Sequence, residues 1–194
     1  ATVAERCLAA KEAQPALAMA TTAQKNAVLN RVAALLVERA PALIEENAKD
    51  LAAGAAAGLS NAMIDRLRLT SERLGSMADG VREIVALPDP IGSVADLKRR
   101  PNGLQVGRMR IPLGVVAMVF ESRPNVVIDA GTLCLKSGNA VILKGGKEAQ
   151  HSNVALAQVL GDALEAEGLP RDAVVLLTGR SEVAELLEQD GTVD

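Results

Sequence analysis

Apolar positions in the first 87 residues recur every three or four residues, which is the spacing of one face of an α-helix. The strongest such pattern is Val28, Leu29, Val32, Leu35 and Leu36. We therefore predict that residues 1–87 form a helical N-terminal part. Pro15 is expected to end or kink the first helix, because proline cannot donate the backbone hydrogen bond that a helix interior needs.

A cluster of helix breakers, Leu87-Pro88-Asp89-Pro90-Ile91-Gly92, follows this helical part and is the best internal boundary. We interpret residues 88–111 as a linker and a strand. Lys98-Arg99-Arg100 could form an anion-binding patch, but a solvated turn is the favoured interpretation. Leu104–Ile111 alternates loosely between apolar and polar residues and is predicted to be a strand outside the core.

The pattern changes after residue 111 to short apolar runs separated by helical periods. The runs predict strands near Val115–Phe120, Ala140–Leu143 and Val174–Leu177. A helix from about residue 126 to 136 should end at Ser137-Gly138-Asn139, and Ser152 is a good N-cap for the next helix. The fold class is therefore α/β, with the helical part packed on a parallel, doubly wound, Rossmann-like sheet over residues 112–194.

Polar turns follow the first two predicted strands of this sheet. Glu121-Ser122-Arg123-Pro124-Asn125 comes directly after one strand, and Lys144-Gly145-Gly146-Lys147 ends the next. Ligands of parallel sheets bind at the carboxyl ends of the strands. We expect the functional residues to lie in these two turns.

Composition excludes several classes of function. The 194-residue chain has a net charge of -3 and one aromatic residue, Phe120, which disfavours a nucleic-acid partner. The sequence contains no apolar run of 18 residues, so it does not indicate a membrane-spanning segment. Two cysteines do not form a disulfide framework and favour the cytoplasm, and a single histidine leaves no metal-ligand cluster.

Three motifs in order, ESRPN, LKSGNA and KGGKEA, resemble the signature region of the gamma-glutamyl phosphate reductases. These enzymes are a divergent branch of the aldehyde dehydrogenase superfamily. The resemblance implies an aldehyde-dehydrogenase-like fold. It also implies NADPH-dependent reduction of L-glutamyl 5-phosphate to L-glutamate 5-semialdehyde in proline biosynthesis.

The resemblance further implies that the chain is truncated. Chains of this family continue well beyond the position of Asp194, and that further part carries the nucleophilic cysteine. We therefore expect an incomplete nucleotide-binding domain that supplies the cofactor-binding part and is inactive alone. Homo-oligomers, and association with or fusion to glutamate 5-kinase, are further expectations from the resemblance.

The resemblance also assigns roles to residues of the two turns. Lys144 corresponds to a lysine that contacts the adenosine ribose of the cofactor, although strand-end lysines are often merely solvated. Lys147 replaces a glutamate of that site and favours the 2′-phosphate of NADP. Gly145 and Gly146 allow the backbone to approach a ligand, and Glu121 and Ser122 are expected to contact the cofactor.

Two further residues of the first turn are candidates for catalysis. Arg123 or Asn125 would stabilise the acyl oxyanion or bind the phosphate of the substrate. For Asn125, capping of the following helix is an alternative with equal support. Cys134 is interpreted as a structural, buried residue, since no histidine or acid is arranged to activate it.

Two observations limit the enzymatic interpretation. Thr178-Gly179-Arg180 stands where other superfamily members have a glycine-rich cofactor turn, and it lacks their second and third glycines. The absence of the nucleophile keeps a second hypothesis open. That hypothesis is a non-enzymatic nucleotide-binding or assembly module on the same fold.

Overall fold

The computed structural model describes residues 1–194, and its first 86 residues are almost entirely helical. The helices are α1 (Val3–Met19), α2 (Thr22–Glu38), α3 (Ala40–Ala56), α4 (Asn61–Leu67) and α5 (Ser71–Ala86). This confirms the predicted helical part. Of the two expectations for Pro15, a helix end is wrong, because α1 continues to Met19, and a kink stays a prediction. The buried face of Ala10, Ala13 and Leu17 stabilises the helix across the missing hydrogen bond.

Hydroxyl side chains begin four of these five helices. The side chains of Thr2, Thr21, Ser60 and Thr70 each accept a hydrogen bond from the amide three residues further on. Helix α3 has no such cap but carries Pro41 in its first turn, where a missing N–H has no cost. The helix boundaries therefore follow from local chemistry.

An exposed hairpin follows the helices. Strand β1 (Val94–Arg99) pairs antiparallel with β2 (Gln105–Met109), and every residue of both strands is exposed. The predicted strand over residues 104–111 is confirmed in a shorter form and lies outside the core. The predicted turn was too long, because Lys98 and Arg99 belong to β1, which the charged run did not indicate.

Three parallel strands form the sheet, in the order β3-β4-β5. They are β3 (Val115–Val119), β4 (Ala140–Lys144) and β5 (Val174–Leu177), and they confirm the three predicted strands. Helices α6 (Asn125–Lys136) and α7 (Gln150–Ala166) connect them. Helix α6 ends as predicted, with Gly138 at φ 71° and the Asn139 amide bonded to the Cys134 carbonyl.

Helices cover both faces of this sheet. Helices α6 and α7 pack against each other, α6 against β4 and α7 against β5, whereas α1 packs on β4 and β5 and also contacts α8 (Glu182–Leu187). At the free edge of β3, the Asp194 amide donates to the Val115 carbonyl at 3.0 Å. The doubly wound, parallel α/β class is confirmed. No helix combines the length and the apolar character needed to cross a membrane.

The start of α7 differs from the prediction. Ser152 is not its N-cap but lies inside the helix, fully buried. Asp50 of α3 takes the capping role from outside, because its carboxylate accepts from the amides of His151 and Ser152. A carboxylate distant in sequence thus replaces a local cap, which a sequence pattern does not indicate.

One hydrophobic core joins the N-terminal helices and the sheet. It includes Leu29 and Leu36 of α2, Ile142 of β4, and Leu160 of α7, all fully buried. Helices α6 and α7 approach closely at Gly131, where an added Cβ would lie 2.5 Å from a methyl group of Leu160. The predicted boundaries at residues 87 and 111 remain a prediction.

Candidate active site

The two polar turns meet at the carboxyl end of the sheet. The hydroxyl of Ser122, in the turn after β3, donates to Glu148 Oε2 at 2.8 Å, just beyond the turn after β4. The Phe120 amide donates to the Lys144 carbonyl at 3.0 Å, so pairing continues to the last residue of β4. Residues predicted for the site from two separate motifs are therefore brought together.

Three adjoining cavities open around these turns. We call them the lysine cavity, the central cavity and the arginine cavity, with volumes of about 400, 390 and 370 Å³. The lysine cavity includes Lys147, Glu148, Asp50 and His151. The central cavity includes Glu121, Ser122, Arg123, Gly146, Glu148 and Arg66. The arginine cavity includes Arg66, Arg68, Arg73, Arg123, Asn125 and Asp65. Glu148 lines the first two cavities, and Arg66 and Arg123 line the last two, so the three adjoin one another and are together called the groove below.

Lys144 is the last residue of β4 and is buried, 7% exposed, two positions before Gly146 of the central cavity. Its ammonium donates to the Gly145 carbonyl at 2.6 Å, which leaves donor capacity on a buried cation. Asn153 is 3% exposed, and its Oδ1 atom has no hydrogen-bond partner. A Cβ at Gly145 would overlap Asn153 Nδ2 and lie 2.8 Å from the Phe120 ring. Buried polar groups with unused capacity beside a glycine fit the binding of a polar ligand such as a nucleotide cofactor.

Gly146 and Glu148 connect the turn after β4 to Ser122. A Cβ at Gly146 would lie 2.8 Å from both Ser122 Oγ and Glu148 Oε2. A hydrogen bond from its own backbone amide, opposed by partial burial, lowers the pKa of Glu148, and Ser122, Lys147 and Lys144 lower it further. Glu148 is therefore an anion that holds the two turns together.

Lys147 lies on the outer side of this junction. It begins a short 3-10 turn (Lys147–Ala149) and is exposed in the lysine cavity. Its charge contributes to the lowered pKa of Glu148. The structure therefore separates the two lysines by environment, with Lys144 inside the protein and Lys147 at the surface.

Arg123 and Asn125 lie where β3 passes into α6. Arg123 is exposed and lines both the central and the arginine cavity. Asn125 is the first residue of α6, and its Nδ2 donates to Asp129 Oδ2 at 2.8 Å. Pro124 occupies the N-cap position and no side chain caps the helix, so the capping alternative for Asn125 is wrong.

The remaining candidates lie away from this groove or are already engaged. Burial raises the pKa of the Cys134 thiol to about 11, which agrees with a structural residue. The amides of Thr178 and Gly179 both donate to the Glu182 carboxylate, which also pairs with Arg6. The two backbone amides of this turn therefore already have a hydrogen-bond partner within the protein.

Sequence reasoning missed several residues of the groove. Arg66, Arg68 and Arg73 lie around the junction of α4 and α5, more than 45 positions before the motifs. Their spacing, with cations at 66, 68 and 73 beside Asp65, was a usable signal of a charged surface. Glu148 directly follows Lys147 and could have been considered beside it, whereas nothing local marks Asn153.

The aldehyde dehydrogenase family model matches residues 1–194. The chain is 50% identical over 199 residues to a gamma-glutamyl phosphate reductase of Geobacter metallireducens, covering 100% of the chain and 48% of that protein. It therefore spans about half the length of the curated relatives it matches.

Two solved structures are similar to the whole fold. Gamma-glutamyl phosphate reductase from Thermotoga maritima superimposes with a TM-score of 0.93 at 33% identity, over 96% of this chain and 46% of that one. The enzyme of the same name from Saccharomyces cerevisiae gives 0.92 at 31% identity, over 100% and 50%. The resemblance carried by the three motifs is therefore confirmed along the whole chain.

Proposed function

Because the chain belongs to the aldehyde dehydrogenase family, we propose that its parent protein reduces L-glutamyl 5-phosphate to L-glutamate 5-semialdehyde with NADPH. The chain supplies the cofactor-binding part, and the remainder of the parent supplies the nucleophilic cysteine. The observation that carries the proposal is the hydrogen bond from Ser122 to Glu148, which holds the two strand-end turns together beside the central cavity. The names of the relatives support this choice of reaction.

Lys144, Gly145, Gly146 and Lys147 would hold the adenosine half of the cofactor, with Glu121 and Ser122 beside it. Bound NADPH supplies the hydride that replaces phosphate on the acyl carbon, with uptake of one proton, giving the aldehyde, phosphate and NADP. The buried Lys144 ammonium, which donates within the protein to the Gly145 carbonyl, would donate to polar groups of the cofactor. Gly145 leaves the space that a side chain would fill.

Arg123 and Asn125 act on the substrate. The guanidinium of Arg123, exposed between two cavities, stabilises negative charge on the acyl oxygen or on the phosphate. The amide of Asn125 already donates to Asp129, which orients it at the start of α6. A donor fixed before the substrate arrives needs no reorganisation as charge develops.

Lys147 selects NADP over NAD. Its exposed ammonium can reach a 2′-phosphate, whereas Glu148, the neighbouring carboxylate, is held by Ser122. A charge-assisted hydrogen bond contributes about 1.5–3 kcal/mol, or roughly 10- to 100-fold in affinity. The parent protein should therefore prefer NADP(H) by about that factor.

The test titrates NADPH and NADH against the complete parent protein, as wild type, Lys147→Glu and Lys98→Glu. Lys98 is an exposed lysine of the hairpin and serves as the matched control. Lys147→Glu should reduce or reverse the preference, and Lys98→Glu should leave it unchanged. An unchanged ratio in Lys147→Glu would show that Lys147 is not the discriminator. Absence of NADPH-dependent reduction of glutamyl phosphate in the wild type would reject the proposed activity.

Three further expectations belong to this proposal. The parent acts in the cytoplasm, forms homo-oligomers and associates with glutamate 5-kinase, which makes its unstable acyl-phosphate substrate. Light scattering of the purified parent tests whether it forms homo-oligomers, and co-purification tests whether it associates with the kinase. The predicted boundaries at residues 87 and 111 are tested by limited proteolysis, which should cut first in residues 88–111.

A further inference from the structure

The arginine cavity has a charge that contrasts with the rest of the chain. Arg66, Arg68, Arg73 and Arg123 line it, and Asp65 is its only carboxylate. The whole chain has a net charge of -3. Four guanidinium groups around about 370 Å³ repel one another, and an anion in that space relieves the repulsion.

One of the four arginines is engaged by the protein itself. Arg73 donates to Asp65 Oδ1 at 2.9 Å and to the Arg68 carbonyl at 2.9 Å. It therefore neutralises the only carboxylate of the cavity and fixes the backbone between α4 and α5. Arg66, Arg68 and Arg123 are exposed and form no ion pair within the chain.

Arg66 and Arg123 approach the groove from different elements. Arg66 lies in the last turn of α4, and Arg123 lies in the turn between β3 and α6. Both line the central and the arginine cavity, so they stand at the junction of the two. Buried Pro124 restricts the backbone of Arg123, since a residue before proline has few conformations.

The arginine cavity also offers apolar surface. Leu69 and Met77 line it, next to the three free guanidinium groups. A ligand with a short aliphatic body and an anionic end would satisfy both parts of this lining. Guanidinium groups bind carboxylate and phosphate in two-point geometry, which a lysine cannot reproduce.

We propose that the arginine cavity binds an anionic group of the substrate through Arg66 and Arg123, and so selects charged acyl substrates over neutral ones. This inference rests on the proposed function. Glutamyl phosphate offers two such groups, the carboxylate at its far end and the phosphoryl at its reacting end. The chemistry that they share is an oxyanion held by guanidinium groups.

The carboxylate and the phosphoryl group can be distinguished when the complete parent protein catalyses the reverse, oxidative reaction. In that direction the semialdehyde and inorganic phosphate are separate substrates. Arg66→Met and Arg123→Met remove the charge with little change in side-chain length. Loss of one charge-assisted hydrogen bond raises a KM by about 10- to 100-fold. A rise confined to the semialdehyde assigns the carboxylate, and a rise confined to phosphate assigns the phosphoryl.

Three controls distinguish recognition from a structural effect. Arg82→Met, on the exposed Arg82–Asp79 pair of α5, should leave both KM values unchanged. Arg66→Lys should recover part of the affinity, because it restores the charge without the fork geometry. If the carboxylate is bound, the ratio of kcat/KM for the semialdehyde to kcat/KM for butanal, a neutral aldehyde, should be about tenfold or more lower in Arg66→Met and Arg123→Met than in wild type.

Calorimetric titration with glutarate and with inorganic phosphate provides a readout that does not need turnover. Binding of either anion that weakens in Arg66→Met and Arg123→Met, but not in Arg82→Met, supports an oxyanion site at these arginines even if the wild type is inactive and the proposed activity is rejected. Two outcomes would overturn it: an active wild type whose KM values are unchanged in both variants, or an inactive wild type that binds neither anion. The first leaves the proposed function intact, whereas the second rejects both.

Discussion

Asp50 and Ser152 are joined by two hydrogen bonds across 102 positions of sequence, from the Ser152 amide at 2.8 Å and from its hydroxyl at 2.6 Å. The same carboxylate accepts from the His151 amide at 3.0 Å. Asn47 completes the network by donating to Ser152 Oγ at 2.9 Å. All three side chains are buried. Helices α3 and α7 are therefore connected by a buried network of hydrogen bonds.

Asp50→Asn should destabilise the protein by about 2–4 kcal/mol, because an amide presents donors to groups that need acceptors. Ser152→Ala should have a smaller effect, since it leaves the two backbone amides bonded to Asp50. Urea unfolding followed by circular dichroism measures both. Asp79→Asn, at an exposed ion pair, is the matched control and should cost less than about 1 kcal/mol. Equal losses at positions 50 and 79 would contradict the role of the network.

The pair of Lys25 and Asp89 fastens the linker to α2. The two charges lie 2.6 Å apart, with side chains 3% and 12% exposed. Burial alone would raise the pKa of Asp89, but hydrogen bonds from Lys25, the Ile91 amide and Thr22 outweigh burial and lower it. Its contribution to stability is therefore present above its ordinary pKa of 3.8 and is lost as the pH falls below that value.

Asp89→Asn should destabilise the protein by about 3–5 kcal/mol at pH 7, because it leaves Lys25 buried without a counter-charge. The difference from wild type should shrink as the pH falls through the lowered pKa of Asp89. Urea unfolding at pH 7 and pH 3 tests this. Lys25→Met with Asp89→Leu should recover most of the loss, and failure to do so would assign the effect to packing.

Gly145→Ala should weaken NADPH binding to the complete parent protein by about tenfold or more, corresponding to 1.4 kcal/mol. The added methyl group would displace Asn153 and Phe120, which pack against Gly145 in the turn after β4. Gly80→Ala, in α5 with open space around it, is the control and should leave affinity unchanged. Equilibrium fluorescence titration of NADPH measures both, and equal affinities would place the cofactor elsewhere.

Cys134 should react slowly with iodoacetamide at neutral pH. With the pKa raised by burial from 9.0 to about 11, only about one thiol in ten thousand is ionised at pH 7. The labelling rate, followed by mass spectrometry, should rise about tenfold per pH unit between pH 7 and 9. In urea, where the thiol is exposed, the rate should level off near pH 9. A native rate that levels off below pH 8 would indicate an activated cysteine.

Stability should depend on the same thiol. A raised folded pKa contributes stability that is present below the unfolded value of 9.0 and is lost as the pH rises toward about 11. Cys134→Ser removes the ionisation in this range. Thermal unfolding between pH 8 and 10 should therefore show a flatter pH dependence in Cys134→Ser than in wild type, and identical slopes would contradict the shift.

Local signals were sufficient where local chemistry decides the structure. The apolar run of Ala140–Leu143 identified a strand that is buried along its whole length, and Ser137-Gly138-Asn139 marked a helix end. Thr70 likewise caps α5 through the Arg73 amide. These elements are specified by neighbours within a few positions, so their pattern is visible in the sequence.

The remaining features depend on contacts between distant residues. Ser152 has the right type for an N-cap, but Asp50 satisfies the helix start and draws Ser152 into the core. Arg66 joins the groove only because α4 packs near the turn after β3. Strand β1 was missed because its sequence, Val-Ala-Asp-Leu-Lys-Arg, does not alternate between apolar and polar residues.

The close approach of Gly131 to Leu160 has a consequence for the groove. Helix α6 is a continuous segment of twelve residues, so its axis moves as one body if α7 pushes it outward. Asn125 and Arg123 stand at its first turn and just before it. The interhelical distance at a residue without a side chain therefore sets how far two candidate substrate-binding groups extend over the sheet. A substitution at Gly131 that changes the spacing of α6 and α7 would therefore also move the turn that carries Arg123 and Asn125.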